Sequence, residues 1–214
     1  LNKQSFDTIK ASADNLTVVN KSKFYGYAVH VESPEEAMEA YARQKKQFPD
    51  ASHHCYAYII GKQKEQVKFS DDGEPGGTAG LPMAEALKQS DLTDILVVVT
   101  RYFGGIKLGA GGLVRAYSGA VVETLKAANI VRYVPCGIYR QMIDYDLWAK
   151  IAPKVEAMGA QIIESEYLEK IYLTVGIKEK QLDAIKKVFQ EALRSDDILE
   201  YMATEYVEET RLSV

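Results

Sequence analysis

The sequence predicts an α+β protein of two domains, over residues 1–134 and 137–214. Three observations carry that reading. At 214 residues the chain is long enough for one large domain or two small ones, each with its own core. The hydrophobic pattern changes register after Pro135-Cys136-Gly137 and restarts as strand, helix, strand, strand, helix, strand. Before that break, an apolar run leads through a glycine-rich turn into an amphipathic helix, which needs both structural classes in one core.

Taken in order, Asn15 to Asn20 and Lys23 to Val31 read as two strands separated by Lys21 and Ser22. Ser33-Pro34-Glu35-Glu36 supplies an N-cap, a proline at the first helical position and a glutamate at the third, so a helix runs to about Phe48. Its inward stripe is Ala37, Met38, Tyr41 and Phe48. His54 to Gly61 and Gln66 to Ser70 form a hairpin across a polar turn. Ser70 to Pro82 holds three acids, four glycines and two prolines, an ordered loop from which a helix starts at Thr78 or Gly80 and ends near Ser90. Ile95 to Val99 is apolar and mostly β-branched, a strand buried on both faces. Leu113 to Ala128 is a helix with Val114, Tyr117, Val121, Leu125 and Ala128 on its core face.

Beyond the Pro135-Cys136-Gly137 linker, Gly137 to Tyr145 is a strand, and Leu147, Ile151, Val155 and Met158 mark a helix capped by Asp146 and ended by Gly159. Ala160 to Ser165 and Leu168 to Ile177 are strands joined by Glu166-Tyr167, Gln181 to Leu193 is a helix, and Ile198 to Val207 a last strand. That order belongs to a ferredoxin-like βαββαβ plait.

The chemistry concentrates in Thr100 to Tyr117, where Gly104, Gly105, Gly109, Gly111 and Gly112 lie among Arg101, Lys107 and Arg115. Glycines leave backbone N–H groups uncovered, and a helix N-terminus adds partial positive charge, so the turn suits an anion. The three cations are expected to converge there. Alternatively the glycines serve only a tight turn, with the cations solvated or paired to nearby acids. Neither G-x-G-x-x-G nor G-x-x-x-x-G-K-[ST] fits the spacing, which excludes the usual dinucleotide and P-loop sites. In the acidic loop, Asp71, Asp72, Glu74 and Thr78 suit either a divalent cation or the capping of backbone amides and neutralising of Arg101 or Arg115. His53, His54 and Cys55 do not make a metal site, because strand neighbours point to opposite faces; His54 is expected on the polar rim of the glycine-loop surface. No metal, cofactor or catalytic residue is expected.

Composition narrows the function classes. No apolar stretch approaches the roughly 20 residues of a membrane span, and the first residues lack the pattern of a secretory signal. Two cysteines far apart make neither a redox motif nor a zinc ribbon, so a cytoplasmic setting without membrane contact is expected. Up to Val134 there are 16 Lys and Arg against 15 Asp and Glu, a net of +1, and from Pro135 there are 10 against 15, a net of −5. A nucleic-acid contact must therefore come from a local patch.

S-D-D-G-E-P-G-G-T-A-G-L-P and V-V-V-T-R-Y-F-G-G-I-K-L-G-A-G-G-L-V-R-A-Y, with H-H-C-Y-A-Y before them, closely resemble the IMPACT family, in particular its bacterial YigZ-type members. The resemblance covers about Lys21 to Val134, and the remainder is similar to the small domain those members carry. It implies an N-terminal α/β sandwich like domain IV of elongation factor G, a ferredoxin-like C-terminal domain, and a role around translation. Eukaryotic relatives carry an extra N-terminal module, bind a ribosome-associated scaffold and restrain the kinase that shuts down initiation in amino-acid starvation; they act as binding proteins. His53, His54, Asp71, Asp72, Glu74, Arg101, Lys107 and Arg115 match the family's motif positions.

The expected function is a translation-associated regulator that binds the ribosome or structured RNA through the glycine-rich loop. Two other classes stay open. One is a protein-interaction adaptor in translational control or stress response, docking a translation-regulatory protein. The other is a Mg²⁺-dependent enzyme acting on a phosphate ligand, with the acidic loop holding the metal.

Overall fold

Ten strands and five α-helices make up the computed structural model, which describes residues 4–209. Contacts divide the chain into a unit of Phe6–Arg132 and a second formed mainly by the residues from Tyr133 onward.

The first unit contains β1 (Phe6–Ile9), β2 (Ala13–Val19), β3 (Ser22–His30), α1 (Pro34–Gln47), β4 (His53–Ile60), β5 (Gln66–Ser70), α2 (Gly80–Gln89), β6 (Ile95–Tyr102) and α3 (Gly109–Lys126). Strands β2-β3-β6-β4-β5 form an antiparallel sheet with β6 in the middle. Seven of the eight β6 residues are buried, which explains why its sequence is an apolar run without alternation. The two faces separate by strand parity. Phe24, Ala28, Cys55, Ala57, Ile59, Val97 and Val99 pack with Met83, Leu87, Leu113, Tyr117 and Val121 of α2 and α3. Val31, Tyr56, Tyr58, Ile60, Leu96 and Val98 pack with Ala37 and Ala40 of α1. Each fully buried side chain of this size contributes about 1.5–3 kcal/mol. Gly26 marks the closest approach of α3 to β3: a Cβ there would lie 1.9 Å from Thr124 Oγ1.

Local chemistry sets the ends of α1. Ser33 Oγ accepts from Glu36 N as in a capping box, while Glu36 Oε2 reaches one residue further back than that box requires and accepts from Glu32 N. Ala40 and Gln44 are buried beside Ala37, while Met38, Tyr41 and Phe48 are half-buried.

The second unit contains β7 (Ile130–Ile143) from Tyr133 onward, α4 (Tyr145–Ala157), β8 (Gln161–Tyr167), β9 (Ile171–Ile177), α5 (Leu182–Leu193) and β10 (Glu200–Glu208). The order β8-β9-β7-β10, antiparallel throughout, is that of the expected plait. Ile171, Leu173, Val175 and Ile177 of β9 are buried with Ile151, Val155, Ile185 and Phe189 of the helices.

Several boundaries depart from the sequence reading. Pro135-Cys136-Gly137 is not a linker: it lies inside β7, opposite Tyr206, Glu205 and Thr204 of β10. Asp146 is not the α4 cap but sits in its first turn, with Asp144 at the N-cap position. The β8–β9 turn is at residues 168–170 rather than Glu166-Tyr167. Helix α3 starts at Gly109, four residues before Leu113, and Val114 is exposed while Leu113, Ala116 and Ala120 are buried. Strand β1 has four residues and too little alternation to be read from sequence.

Candidate functional site

The glycine-rich turn and the acidic loop meet through Arg101 and Glu74. Near the end of β6, Arg101 faces the helix side of the sheet, opposite His53 in the β4 register. Its Nη1 donates to Glu74 Oε1 at 2.6 Å, with the two side chains only 7% and 3% exposed. Tyr117 OH, from α3, donates to the same Oε1 at 2.7 Å, and His53 Nε2 lies 3.8 Å from Oε2. Arg101 Nη2 reaches Ser22 Oγ at 3.5 Å, while its Nε is buried with no partner among the described residues. Arg101 is therefore a neutralised, internal cation. It does not join Lys107 and Arg115 at a shared anion site, which corrects the expected convergence: burying an arginine is tolerable only against a carboxylate, and Glu74 supplies it.

The other acids hold backbone. Asp71 Oδ1 accepts from Ala79 N at 3.0 Å and Gly80 N at 2.8 Å, and Oδ2 from Gly77 N at 2.9 Å. It thus caps α2 from eight residues upstream of Ala79, the N-cap residue, whose own side chain has no oxygen. Burial pushes the Asp71 carboxyl up, but the three amides outweigh it and hold the group below the ordinary range. Asp72, with φ of +40°, accepts from His54 N at 2.7 Å through Oδ2 and from Tyr41 OH at 3.3 Å through Oδ1, and Lys45 lies 3.5 Å away. Thr78 Oγ1 donates to Pro75 O at 2.7 Å. These acids are occupied, and among the described residues no group of three or more His, Cys, Asp and Glu is placed to hold a metal.

The histidines divide as strand neighbours must. His53 Nδ1 lies 2.9 Å from Asp72 O; a carbonyl only accepts, so Nδ1 carries the proton and Nε2 faces Glu74. His54 is not on a polar rim. It is buried under α1's end with Nε2 donating to Phe48 O at 3.0 Å, and burial lowers its basicity. Cys55 Sγ donates to Asp71 O at 3.0 Å, and burial pushes its thiol up to about 12.

Around the turn itself, Gly105 and Gly109 alone of the five glycines have positive φ, +82° and +68°. Gly104 is needed for contact: a Cβ would lie 2.1 Å from the Lys21 backbone carbon, and its N donates to Ser22 Oγ at 3.1 Å. Gly111 and Gly112 lie in the first turn of α3. Leu108, the N-cap residue, has no oxygen in its side chain, and α3 receives no side-chain cap. Lys107 and Arg115 are exposed and enter no ion pair among the described residues. Arg115 Nη1 lies 3.6 Å from where a Cβ on Gly111 would sit, so the guanidinium leans back along the helix toward its N-terminus.

Sequence reasoning missed two things at this surface. One is the pair Tyr117 and Ser22, which complete the Arg101–Glu74 cluster. The other is a pocket of about 240 Å³ lined by Lys21, Lys23, Tyr25, Phe48, Tyr102 and Phe103. The aromatic spacing in β3 and the Y-F pair after Arg101 were its only sequence signals.

Comparison with known proteins now adds the lineage. The Impact N-terminal domain matches residues 20–125, and a domain of unknown function, DUF1949, matches 142–195. IMPACT family member YvyE of Bacillus subtilis is 39% identical over 86% of this chain and 84% of its own length. The chain belongs to the IMPACT family. YigZ of Escherichia coli, another member, is 37% identical over 74% of this chain and 79% of its own. A solved structure described as a hypothetical protein is 32% identical and superposes with a TM-score of 0.61, covering 94% of this chain and 98% of that one. The two matched domains and this neighbour agree with the α+β, two-domain reading.

Proposed function

We propose that this IMPACT family member is a non-enzymatic, translation-associated regulator that contacts the ribosome or structured RNA. The observation that carries the reading is the uncapped start of α3, flanked by the exposed and unpaired Lys107 and Arg115. First-turn amides, the helix dipole and two exposed cations together suit one or two backbone phosphates. Family membership supports the translational setting, through the role that the motif resemblance implies. Arg101 takes no part in phosphate contact. Its charge is spent on Glu74, and it holds the turn in place from beneath.

The test is binding of a hairpin RNA by fluorescence anisotropy across a salt series. Lys107→Ala with Arg115→Ala is expected to weaken binding and to reduce the logarithmic salt slope by about 2, one for each lost phosphate contact. An unchanged slope excludes this site as the RNA contact.

A second reading, a protein-interaction adaptor, is favoured by one observation. Between α2 and α3 runs an open groove of about 660 Å³ in which Leu81, Pro82, Val114 and Val122 present apolar surface and which Arg115 and Glu123 also line. Pull-down after nuclease treatment separates the two readings, since an adaptor keeps its partner once RNA is digested.

A further inference from the structure

The face of the sheet opposite α2 and α3 ends, beyond α1, in a patch of rings that the fold does not finish burying. Tyr25 projects from β3 and stacks on Phe48 at 5.3 Å between centroids, with 25° between planes. Tyr102 meets Tyr25 edge-on at 5.9 Å and 79°. Phe103 stands 51% exposed at the mouth, its backbone N held by Ser52 Oγ. These four rings and Lys21 and Lys23 line the 240 Å³ pocket, and no acidic residue does. Both lysines are exposed and enter no ion pair, and neither the Tyr25 nor the Tyr102 hydroxyl has a protein partner among the described residues.

We infer that this pocket stacks one unpaired base of single-stranded RNA, with Lys21 and Lys23 on the adjoining phosphates. Size, chemistry and charge all bear on that choice. Pockets for drug-sized ligands run to roughly 300–1,000 Å³, so this one takes a single ring system and leaves the rest of its ligand outside. An unburied aromatic on a sheet is the surface that unstacked bases use, because every base has a π-face to offer. Two unpaired lysines without a neighbouring carboxylate complement a backbone phosphate on either side of that base. The free tyrosine hydroxyls supply a donor and an acceptor for the edge of the base. An apolar peptide would use the rings but would leave both lysines without a partner. A duplex would match the lysines, yet it keeps its bases stacked on one another and away from Phe103.

This assignment rests on the RNA reading above and names a separate place and a separate form of RNA. The cations at the start of α3 touch phosphates alone, whereas the aromatic pocket requires an unpaired nucleotide. A protein using both would therefore prefer a junction, where a helix gives way to a single strand.

The experiment uses the full chain with three labelled probes: pentauridylate, pentaadenylate and a blunt hairpin RNA closed by a non-nucleotide linker, which offers no unpaired base. Phe103 is half-exposed, so Phe103→Ala and Phe103→Leu are expected to fold as the parent does, checked by circular dichroism and urea midpoint. Both variants should lose affinity for the pentanucleotides by about 5- to 150-fold, the range found for removing a stacked ring, while hairpin binding stays unchanged. Lys23→Ala should reduce the salt slope for the pentanucleotides by about 0.7. In the parent, the aromatic ring resonances of Tyr25, Tyr102 and Phe103 should shift on adding pentauridylate. Pentanucleotide affinity equal to the parent's in both Phe103 variants overturns the inference. Hairpin binding that depends on Lys107 and Arg115, with no pentanucleotide binding, overturns it and leaves the RNA reading standing. No binding of any probe removes both. Displacement of pentauridylate from these rings by a proline-rich peptide of higher affinity also overturns it, because the pocket then belongs to a peptide.

Discussion

Replacing Arg101 by methionine tests whether this residue is a structural cation or a surface one. The substitution keeps an unbranched, apolar stem and deletes the guanidinium, leaving Glu74 with 3% of its side chain exposed and its strongest partner gone. Tyr117 OH remains as a donor at 2.7 Å, but one neutral hydrogen bond does not offset a desolvated carboxylate. Stranding one member of a buried pair costs about 3–5 kcal/mol, against a total stability of roughly 5–15 kcal/mol for a domain. With a urea slope near 2 kcal/mol per molar, the midpoint should fall by about 1.5–2.5 M. Glu74→Gln in the Arg101→Met background removes the stranded charge and should recover at least about 1 kcal/mol, so the two substitutions are strongly non-additive. Urea unfolding followed by circular dichroism reads both quantities, with the slope checked for constancy. A midpoint within about 0.3 M of the parent, or additive effects of the two substitutions, would refute the claim that Glu74 and Arg101 form an internal pair.

Asp71→Ala should cost about 0.5–2 kcal/mol, as for loss of a helix cap. Because the folded carboxyl titrates below the unfolded value near 3.9, its contribution is present above that value and lost as pH falls through the folded one. The variant should therefore lose less stability than the parent on acidification below about pH 4, measured by urea midpoints across pH. Cys55, with its thiol pushed up to about 12 by burial, and Cys136, also raised by burial, should resist a thiol reagent at pH 8 in the folded protein and both react in urea. Gly104→Ala should destabilise the first unit by more than about 1 kcal/mol, since its Cβ would strike backbone that no rotamer change can move. By contrast Gly76→Ala, with ordinary φ and open space around it, should be neutral or stabilising by up to about 1 kcal/mol, both glycine variants being compared with the parent by urea midpoint.

Local signals were readable from sequence, and relations between distant residues were not. Helix α1 was legible because Ser33, Pro34 and Glu36 carry their information within four positions. Strand β6 was legible because a strand buried on both faces cannot alternate. The start of α3 was hidden because Gly109, Gly111 and Gly112 argue against helix by propensity, at about 1 kcal/mol each, and the packing of Leu113, Ala116 and Tyr117 overrides them. Pro135 and Gly137 looked like punctuation, but both fit a ladder whose partners, in β9 and β10, lie roughly 40 and 70 residues further along.

At the candidate site the types of residue were legible and their individual partners were not. The acidic loop was read as able to neutralise Arg101 or Arg115, but nothing in the local pattern says that Glu74, 27 residues away, is the acid that does so, or that Tyr117 completes the cluster; only the sheet register and the α3 packing bring them together. Lys107 and Arg115 lie at the surface, and no acid among the described residues pairs with them. Asp71 was recognised as one of the amide-capping acids, yet which helix it served depended on how the loop folds back from Gly77 to Gly80.

Strand β7 runs unbroken from Ile130 to Ile143 across the place where the chain changes from one unit to the next. A gene fragment truncated at residue 134 or begun at 137 would therefore cut a ladder rather than a tether, leaving amides and carbonyls with their rungs missing. Such a fragment would be sticky at its cut edge, where the backbone opposite Thr204 to Tyr206 of β10 would lose its ladder partners.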